Sequence, residues 1–305
     1  MANEYVICMD VGGTNLRMGA FDVTTGLVKD FHIEPTRGAA HGSDPLHRIY
    51  SLLASALESP GNCRGIAIGV PALVDSHTGV ISHCIRIPEF NGLALATDIE
   101  RRYGVAAFVA NDAQLAAIGE HRYGAGRGYA HLVCLTIGTG MGGGIIQDGR
   151  LMTGARGFAG EFGELLVPNP AGDSLIKLES CVAASAIVHE ARRLIQGAGP
   201  PDLTAEWVAE AVWAGRDELR PVLDAVGSRL GLIVANIMHI LNPQLVVIGG
   251  GVARAGQLIL EPLERTLRRH VLGSVGSGVQ VRLAELGDEA GLQGGAAALL
   301  SAGRQ

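Results

Sequence analysis

Asp10-Val11-Gly12-Gly13-Thr14, within the stretch MDVGGTNLRMGAFD at residues 9–22, decides the fold, because it joins two apolar runs through a pair of glycines. Residues 5–9 are β-branched and apolar and read as a buried strand. Residues 16–22 read as the returning strand of a hairpin. The frame recurs at residues 131–149, HLVCLTIGTGMGGGIIQDG, again a hydrophobic strand, a glycine turn and a second strand ending near an aspartate. Two such frames in one chain read as an internal duplication.

Between and beyond these hairpins, strand and helix patterns alternate. Asp44-Pro45 supplies a cap and first-turn proline for a helix to about residue 58, and residues 65–70 form a core strand closed by Pro71. Residues 95–103 read as helix, 106–110 as strand and 113–123 as helix. Further helices are expected over about 174–196, 204–214, 217–241, 256–270 and 291–301, with a strand, QLVVIGGG, at 244–251 and a solvent-facing loop at 197–201. The alternation predicts an α/β architecture.

Of the 305 residues 48% are apolar and 18% charged, so the chain can bury large cores without cross-links. A formal net charge of -6 gives no broad attraction for nucleic acid or an anionic membrane. The five cysteines, Cys8, Cys63, Cys84, Cys134 and Cys181, are odd in number and far apart, which predicts reduced thiols. The start, MANEYVICMD, reaches Asp10 before any apolar run of signal-peptide length, so a cytoplasmic location is expected. The most apolar stretch, 230–241, contains Asn236 and His239 and reads as a buried helix rather than a membrane span.

Three strands run into glycines: at Gly12-Gly13, at 138–144, which begins Gly138-Thr139-Gly140, and at Gly249-Gly250-Gly251. Glycine lets backbone N–H groups close on a phosphate. Three such junctions, two in similar hairpins, point to a nucleotide held in a cleft between related domains. No glycine precedes a lysine, which excludes a P-loop. Gly138-x-Gly140-x-x-Gly143 imitates a dinucleotide fingerprint, but a second strand follows it where a helix is required. Asp10 follows the first strand directly and either reaches hydrated Mg²⁺ near the phosphates or stabilises its turn. Thr14 and Thr139 either donate to phosphate oxygens or satisfy their own turns.

Asn111-Asp112 stands between a strand and a helix. Asp112 either caps that helix or, beside a phosphate cleft, accepts the proton of an attacking hydroxyl. Glu161 and Glu164 lie three residues apart in the glycine-rich segment 157–164 and suit adjacent sugar hydroxyls. Glu179 either adds a third acceptor or is a first-turn acid that interacts favourably with the helix dipole.

The motifs MDVGGTNLRMGAFD, GVPALVD, VANDAQLAAIGE, LTIGTGMGGGI, GARGFAGEFGE, LNPQLVVIGGGV and LGDEAGLQGGAAAL, in this order over nearly the whole chain, resemble those of the ROK family of sugar kinases. The resemblance implies an actin-like, ribonuclease H-like α/β fold. It divides as an N-terminal domain at 1–118, a larger C-terminal domain at 119–290, and a final helix at 291–305 that returns to the first domain. It implies ATP-dependent phosphorylation of a hexose or hexose derivative, at the C6 hydroxyl, by a homodimer. Asp112 would be the base, with Asn91, Asn111, Glu161 and Glu179 as sugar ligands. Gly12, Gly13, Thr14, Gly138, Thr139, Gly140, Gly249, Gly250 and Gly251 would surround ATP, and Asp10 would hold Mg²⁺ through water.

Two features depart from the family pattern. Glu164 stands where many relatives have a histidine that touches sugar and ligates zinc, and the usual CxCGxxGC segment is reduced to NPAGDSLIKLES. No structural zinc is expected, because a closed site needs about four ligands. The family NDxN also ends in Gln114. The alternative activity is a non-catalytic sugar sensor of the same fold. Such regulators carry a DNA-binding segment ahead of the first motif, and only nine residues precede Asp10.

Overall fold

The first glycine hairpin is formed by β1 (Glu4–Val11) and β2 (Asn15–Asp22), paired antiparallel from Tyr5 against Asp22 to Val11 against Leu16. The computed structural model describes residues 4–37, 44–58, 61–169, 172–196, 199–276 and 278–302. Residues 197 and 198 of the expected loop therefore lie outside the described residues. β3 (Val28–Pro35), β4 (Asn62–Val70) and β5 (Ala107–Asn111) complete a sheet of order β3-β2-β1-β4-β5, in which β1, β4 and β5 are parallel.

The second sheet repeats this plan. β6 (Leu132–Ile137), β7 (Met141–Gln147), β8 (Arg150–Leu151), β9 (Leu245–Gly249) and β10 (Gln280–Leu283) run in the order β8-β7-β6-β9-β10, with the same parallel and antiparallel pairings. The duplication read from the two hairpins thus extends to whole sheets. The protein has an α/β fold of two sheets, each with helices on its faces.

Alternation along β1 sorts its side chains between two cores. Ile7 and Met9 face α1 (Pro45–Leu57) and α2 (Leu95–Tyr103), where Ile49, Leu53 and Ile99 are fully buried. Val6 and Cys8 face the opposite way, onto Leu292, Ala296 and Leu299. In the second sheet, Val133, Leu135, Val246 and Ile248 pack on helices of the intervening segment: α4 (Glu179–Val182), α5 (Ala184–Leu194), α6 (Ala205–Trp213), α7 (Arg220–Leu241) and α8 (Gln257–His270). α7 is long and apolar enough by composition to cross a bilayer, but most of its apolar window is buried in this core.

Two helices exchange sheets. α3 (Asp112–Tyr123) leaves β5 of the first sheet and covers the second, with Ala117 packed beside Cys134 and Val247. α9 (Ala290–Ala302) follows β10 of the second sheet and covers the first. They cross backbone to backbone: a Cβ at Gly119 would strike the Ala290 carbonyl, and one at Gly294 the Leu115 carbonyl. The boundary expected at residue 118 falls inside α3.

Two elements differ from the sequence reading. The expected helix over 174–196 begins with a strand, Leu175–Lys177, paired to Leu166–Pro168. Helix starts only at Glu179, and extended backbone at Ala183 (ψ 165°) divides it into α4 and α5. β3 was not anticipated, because it is an edge strand whose side chains are mostly solvent-exposed and show no alternation.

Candidate active site

Parallel α/β sheets place ligands beyond the carboxyl ends of their strands, and Asp10 and Asp112 lie at such ends. Asp10 pairs with Gly69 on β4, which pairs with Ala110 on β5, so Asp112 follows two residues later on the same side of the sheet. Gly69 separates them: a Cβ there would stand 3.4 Å from Asp10 Oδ1 and 3.4 Å from the Asp112 Cα.

The helix cap is Asn111 rather than Asp112. Asn111 Oδ1 accepts from the Gln114 N–H (3.0 Å) and its Nδ2 donates to the Ala72 carbonyl (3.3 Å). Asn111 thus supports the turn through the same amide that was read as a sugar ligand. Asp112, relieved of capping, accepts among the described residues only from the neighbouring Ala113 N–H (2.8 Å). Burial, then the charges of Asp10 and Glu161, push its carboxyl up to about 7, against the pull of the Ala113 N–H and Arg86. Asp10 is also raised, chiefly by burial. Arg17 at 3.5 Å opposes the shift, and Asp288, 3.0 Å from the same guanidinium, adds to it.

Both hairpin turns are built for close approach. The Gly12 N–H donates to the Asn15 carbonyl (2.8 Å), where a Cβ on Gly12 would come within 2.8 Å of that oxygen. Thr36, buried and not foreseen, fastens the turn by donating from Oγ1 to the Gly12 carbonyl (2.6 Å) and from N–H to the Thr14 carbonyl (2.9 Å). In the second hairpin the Gly138 N–H donates to the Gly140 carbonyl (2.8 Å). Thr14 and Thr139 stand exposed at the two tips. Because β9 pairs with β6, Gly249 lies opposite Thr136, and Gly250, at φ 81°, packs on the Ile137 backbone. Gly251 faces open space.

The later glycines of the 138–144 run do something else. Gly142 and Gly144 admit Ala113 and Ala117 of α3, and Gly143 admits the Phe162 ring. They bring α3, and so Asp112, against the second sheet.

The segment 157–164 is fixed to that helix by Gln114, whose Nε2 donates to the carbonyls of Gly157 (2.8 Å) and Ala159 (3.0 Å). Gly160, at φ 101°, packs on the Gly143 carbonyl. Glu161 is thereby held close enough to act on Asp112, and burial together with Glu164 and Glu179 raises its own carboxyl. Glu179 Oε2 accepts from the Met141 N–H (3.2 Å) at the second hairpin. Glu164 turns outward and pairs with Lys177 at 2.8 Å across an exposed surface. Asn91 is exposed, and its Oδ1 accepts from the Cys84 N–H (2.7 Å).

Asp10 and Glu161 are therefore near enough to act electrostatically on Asp112, Glu179 and Glu164 act in turn on Glu161, and Glu179 also reaches the second hairpin. Sequence reasoning missed Arg17, Thr36, Arg86 and Asp288. Arg17 was visible within the first hairpin, whereas Arg86 lies in no recognisable motif.

The ROK family model matches residues 6–302, and the chain belongs to the ROK family. It is 31% identical over 315 residues to the glucokinase of Halalkalibacterium halodurans, across 97% of this chain and 94% of that protein. It is 32% identical over 294 residues to the beta-glucoside kinase of Klebsiella pneumoniae, across 95% and 94% of the two chains. The solved ROK family glucokinase from Streptomyces griseus, in complex with glucose and AMPPNP, is similar with a TM-score of 0.81 at 29% identity, covering 96% of this chain and 98% of that one.

Proposed function

We propose that this ROK-family chain is an ATP-dependent sugar kinase that moves the γ-phosphoryl group onto a hydroxyl of a hexose or hexose derivative, at C6, with Asp112 as the base. The observation that carries the reading is the Asp112 carboxyl, freed from capping by Asn111 and raised to about 7 beside two glycine hairpins. A base that titrates near neutrality is matched to taking a proton from an alcohol as the phosphorus is attacked. The fold in this reading is actin-like, with the nucleotide phosphates between the turns at Gly12 and Gly138 and the remainder along Gly249 to Gly251.

Asp112 orients the attacking oxygen and accepts its proton, while backbone N–H groups of the glycine turns meet the phosphate charge. Glu161 and Glu179 accept hydrogen bonds from ring hydroxyls, and Asn91, Asn111 and Glu164 border the same sugar. Among the described residues no three His, Cys, Asp or Glu side chains converge into a metal cage. A single carboxylate at Asp10 fits Mg²⁺ that keeps its waters and phosphate oxygens. When bound, the ion offsets negative charge on the β- and γ-phosphate oxygens. A homodimer belongs to this reading on the family resemblance, and a cytoplasmic location is proposed with it.

The test is Mg²⁺-dependent ADP release across a panel of hexoses and N-acetylhexosamines, with Asp112→Ala as control. A sugar-dependent signal abolished in the variant is expected. A wild-type protein that binds ATP yet releases no ADP with any sugar of the panel would shift the assignment to a sugar sensor or to an acceptor outside the common sugars.

A further inference from the structure

Arg86 belongs to none of the motifs quoted above, yet its side chain touches both hairpins. It extends from the loop between the strand Ile81–His83 and the turn Pro88–Phe90. That loop is held by the Cys84 N–H on Asn91 Oδ1 and by Cys84 Sγ, 3.6 Å from the Pro71 carbonyl. The Arg86 stem crosses Gly13, where a Cβ would lie 3.2 Å from Arg86 Cβ and 3.4 Å from its Cδ. The guanidinium ends over Gly140, with Nη2 2.6 Å from the place a Cβ would occupy. One arginine thus spans a glycine turn of each sheet and lies close against both.

Its charge has no fixed partner. Among the described residues Arg86 makes neither an ion pair nor a hydrogen bond, and it is exposed. Arg17, beside Asp10, is by contrast divided between Asp10 and Asp288. A planar guanidinium with uncommitted donors, between two turns that present backbone N–H groups, suits the oxygens of a phosphoryl group. Its charge also reaches Asp112, whose carboxyl it pulls down against the effect of burial.

We infer that Arg86 is a catalytic residue, contacting the oxygens of the γ-phosphoryl group during its transfer. This rests on the kinase reading above. In the step, the sugar oxygen forms a bond to the γ-phosphorus as the bond to the β–γ bridging oxygen breaks. The hydroxyl proton passes to Asp112 and the bridging electron pair leaves with ADP. Arg86 exchanges neither proton nor electrons and offsets the charge on the moving group. Because the guanidinium lies over Gly140 and the stem over Gly13, its contact also depends on the two turns being held together.

Two measurements separate this from a structural role. In steady-state kinetics, Arg86→Ala is expected to lower kcat by about 10²–10³-fold, the range for losing one donor to transition-state charge, with the sugar KM little changed. Arg86→Lys is expected to recover only a small part, and added guanidinium ion to restore activity to Arg86→Ala but not to Asp112→Ala. In calorimetry without sugar, wild type is expected to bind AMPPNP more tightly than ADP, and Arg86→Ala to lose about tenfold of that preference. A kcat within threefold of wild type, or a loss confined to the sugar KM, would overturn the assignment. If wild type phosphorylates no sugar, the kinase reading falls, and the AMPPNP-to-ADP ratio then decides Arg86 alone: an unchanged ratio in Arg86→Ala refutes it.

Discussion

Replacing Asp112 with asparagine should abolish activity and at the same time stabilise the protein. Asparagine keeps the shape and can still accept from the Ala113 N–H, but it cannot ionise. The wild-type carboxyl moves from 3.8 to about 7, principally through burial and secondarily through Asp10. Below about pH 4 folded and unfolded chains both hold the proton. As pH rises further the unfolded chain releases it while the folded one keeps it, so wild type loses about 1.4 kcal/mol of stability per pH unit until about 7. Between pH 5 and 7 the advantage of the variant should grow by roughly 2–3 kcal/mol, and above 7 it should stay level. This figure is an upper range, since Asp112 retains some solvent contact. For a chain of 305 residues it corresponds to roughly 4 °C in melting temperature. Thermal melts of both proteins from pH 5 to 8, paired with ADP-release assays, read the two effects together. A melting difference that does not change with pH would refute a burial-raised carboxyl at Asp112.

Catalysis should titrate with the same group. kcat/KM is expected to rise about tenfold per pH unit below 7 and level off above it, because the base must be unprotonated; a flat profile from pH 5 to 8 would count against Asp112 as the base. Gly294→Ala drives a Cβ into the Leu115 carbonyl where α3 and α9 cross, and should cost about 1–3 kcal/mol in denaturant melts. Glu120 is buried at the end of α3, and its carboxylate accepts from the N–H groups of Ala125 (2.9 Å), Glu285 (3.1 Å) and Leu286 (2.8 Å). Glu120→Gln turns an amide N–H₂ toward those donors and should cost about 1–3 kcal/mol, read by the same melts. Lys177→Ala removes only an exposed ion pair, so its melting point should stay within the range of less than about 1 kcal/mol, and a larger loss would mean that Glu164 and Lys177 hold the site together.

What the sequence disclosed and what it withheld follow from local chemistry. Buried strands such as β1 and β4 announce themselves through continuous apolar runs, and α2 was read to the residue because its amphipathic face ends at Gly104 in the left-handed region. β3 has no buried face to impose a pattern. The strand Leu175–Lys177 carries apolar residues at a spacing compatible with helix, and only its partner Leu166–Pro168 decides otherwise. At the site, the Asn111-Asp112 pair was legible, but which of the two caps α3 depended on the backbone turn. Gly142 to Gly144 looked like part of a phosphate loop, whereas their neighbours across the fold, Ala113, Ala117 and Phe162, make them packing residues. Arg86 was invisible because its meaning comes from two turns distant in sequence.

The exchange of α3 and α9 between the sheets has a consequence for synthesis. As the chain emerges from its N-terminus, the face of the first sheet bearing Val6, Cys8 and Ala67 has no cover until Leu292, Ala296 and Leu299 are made. At about 5–20 residues per second, the segment between β5 and α9 takes on the order of ten to forty seconds to produce. Throughout that interval the nascent first sheet presents an apolar face that is a target for a holding chaperone, and its last cover arrives only when α9 is made.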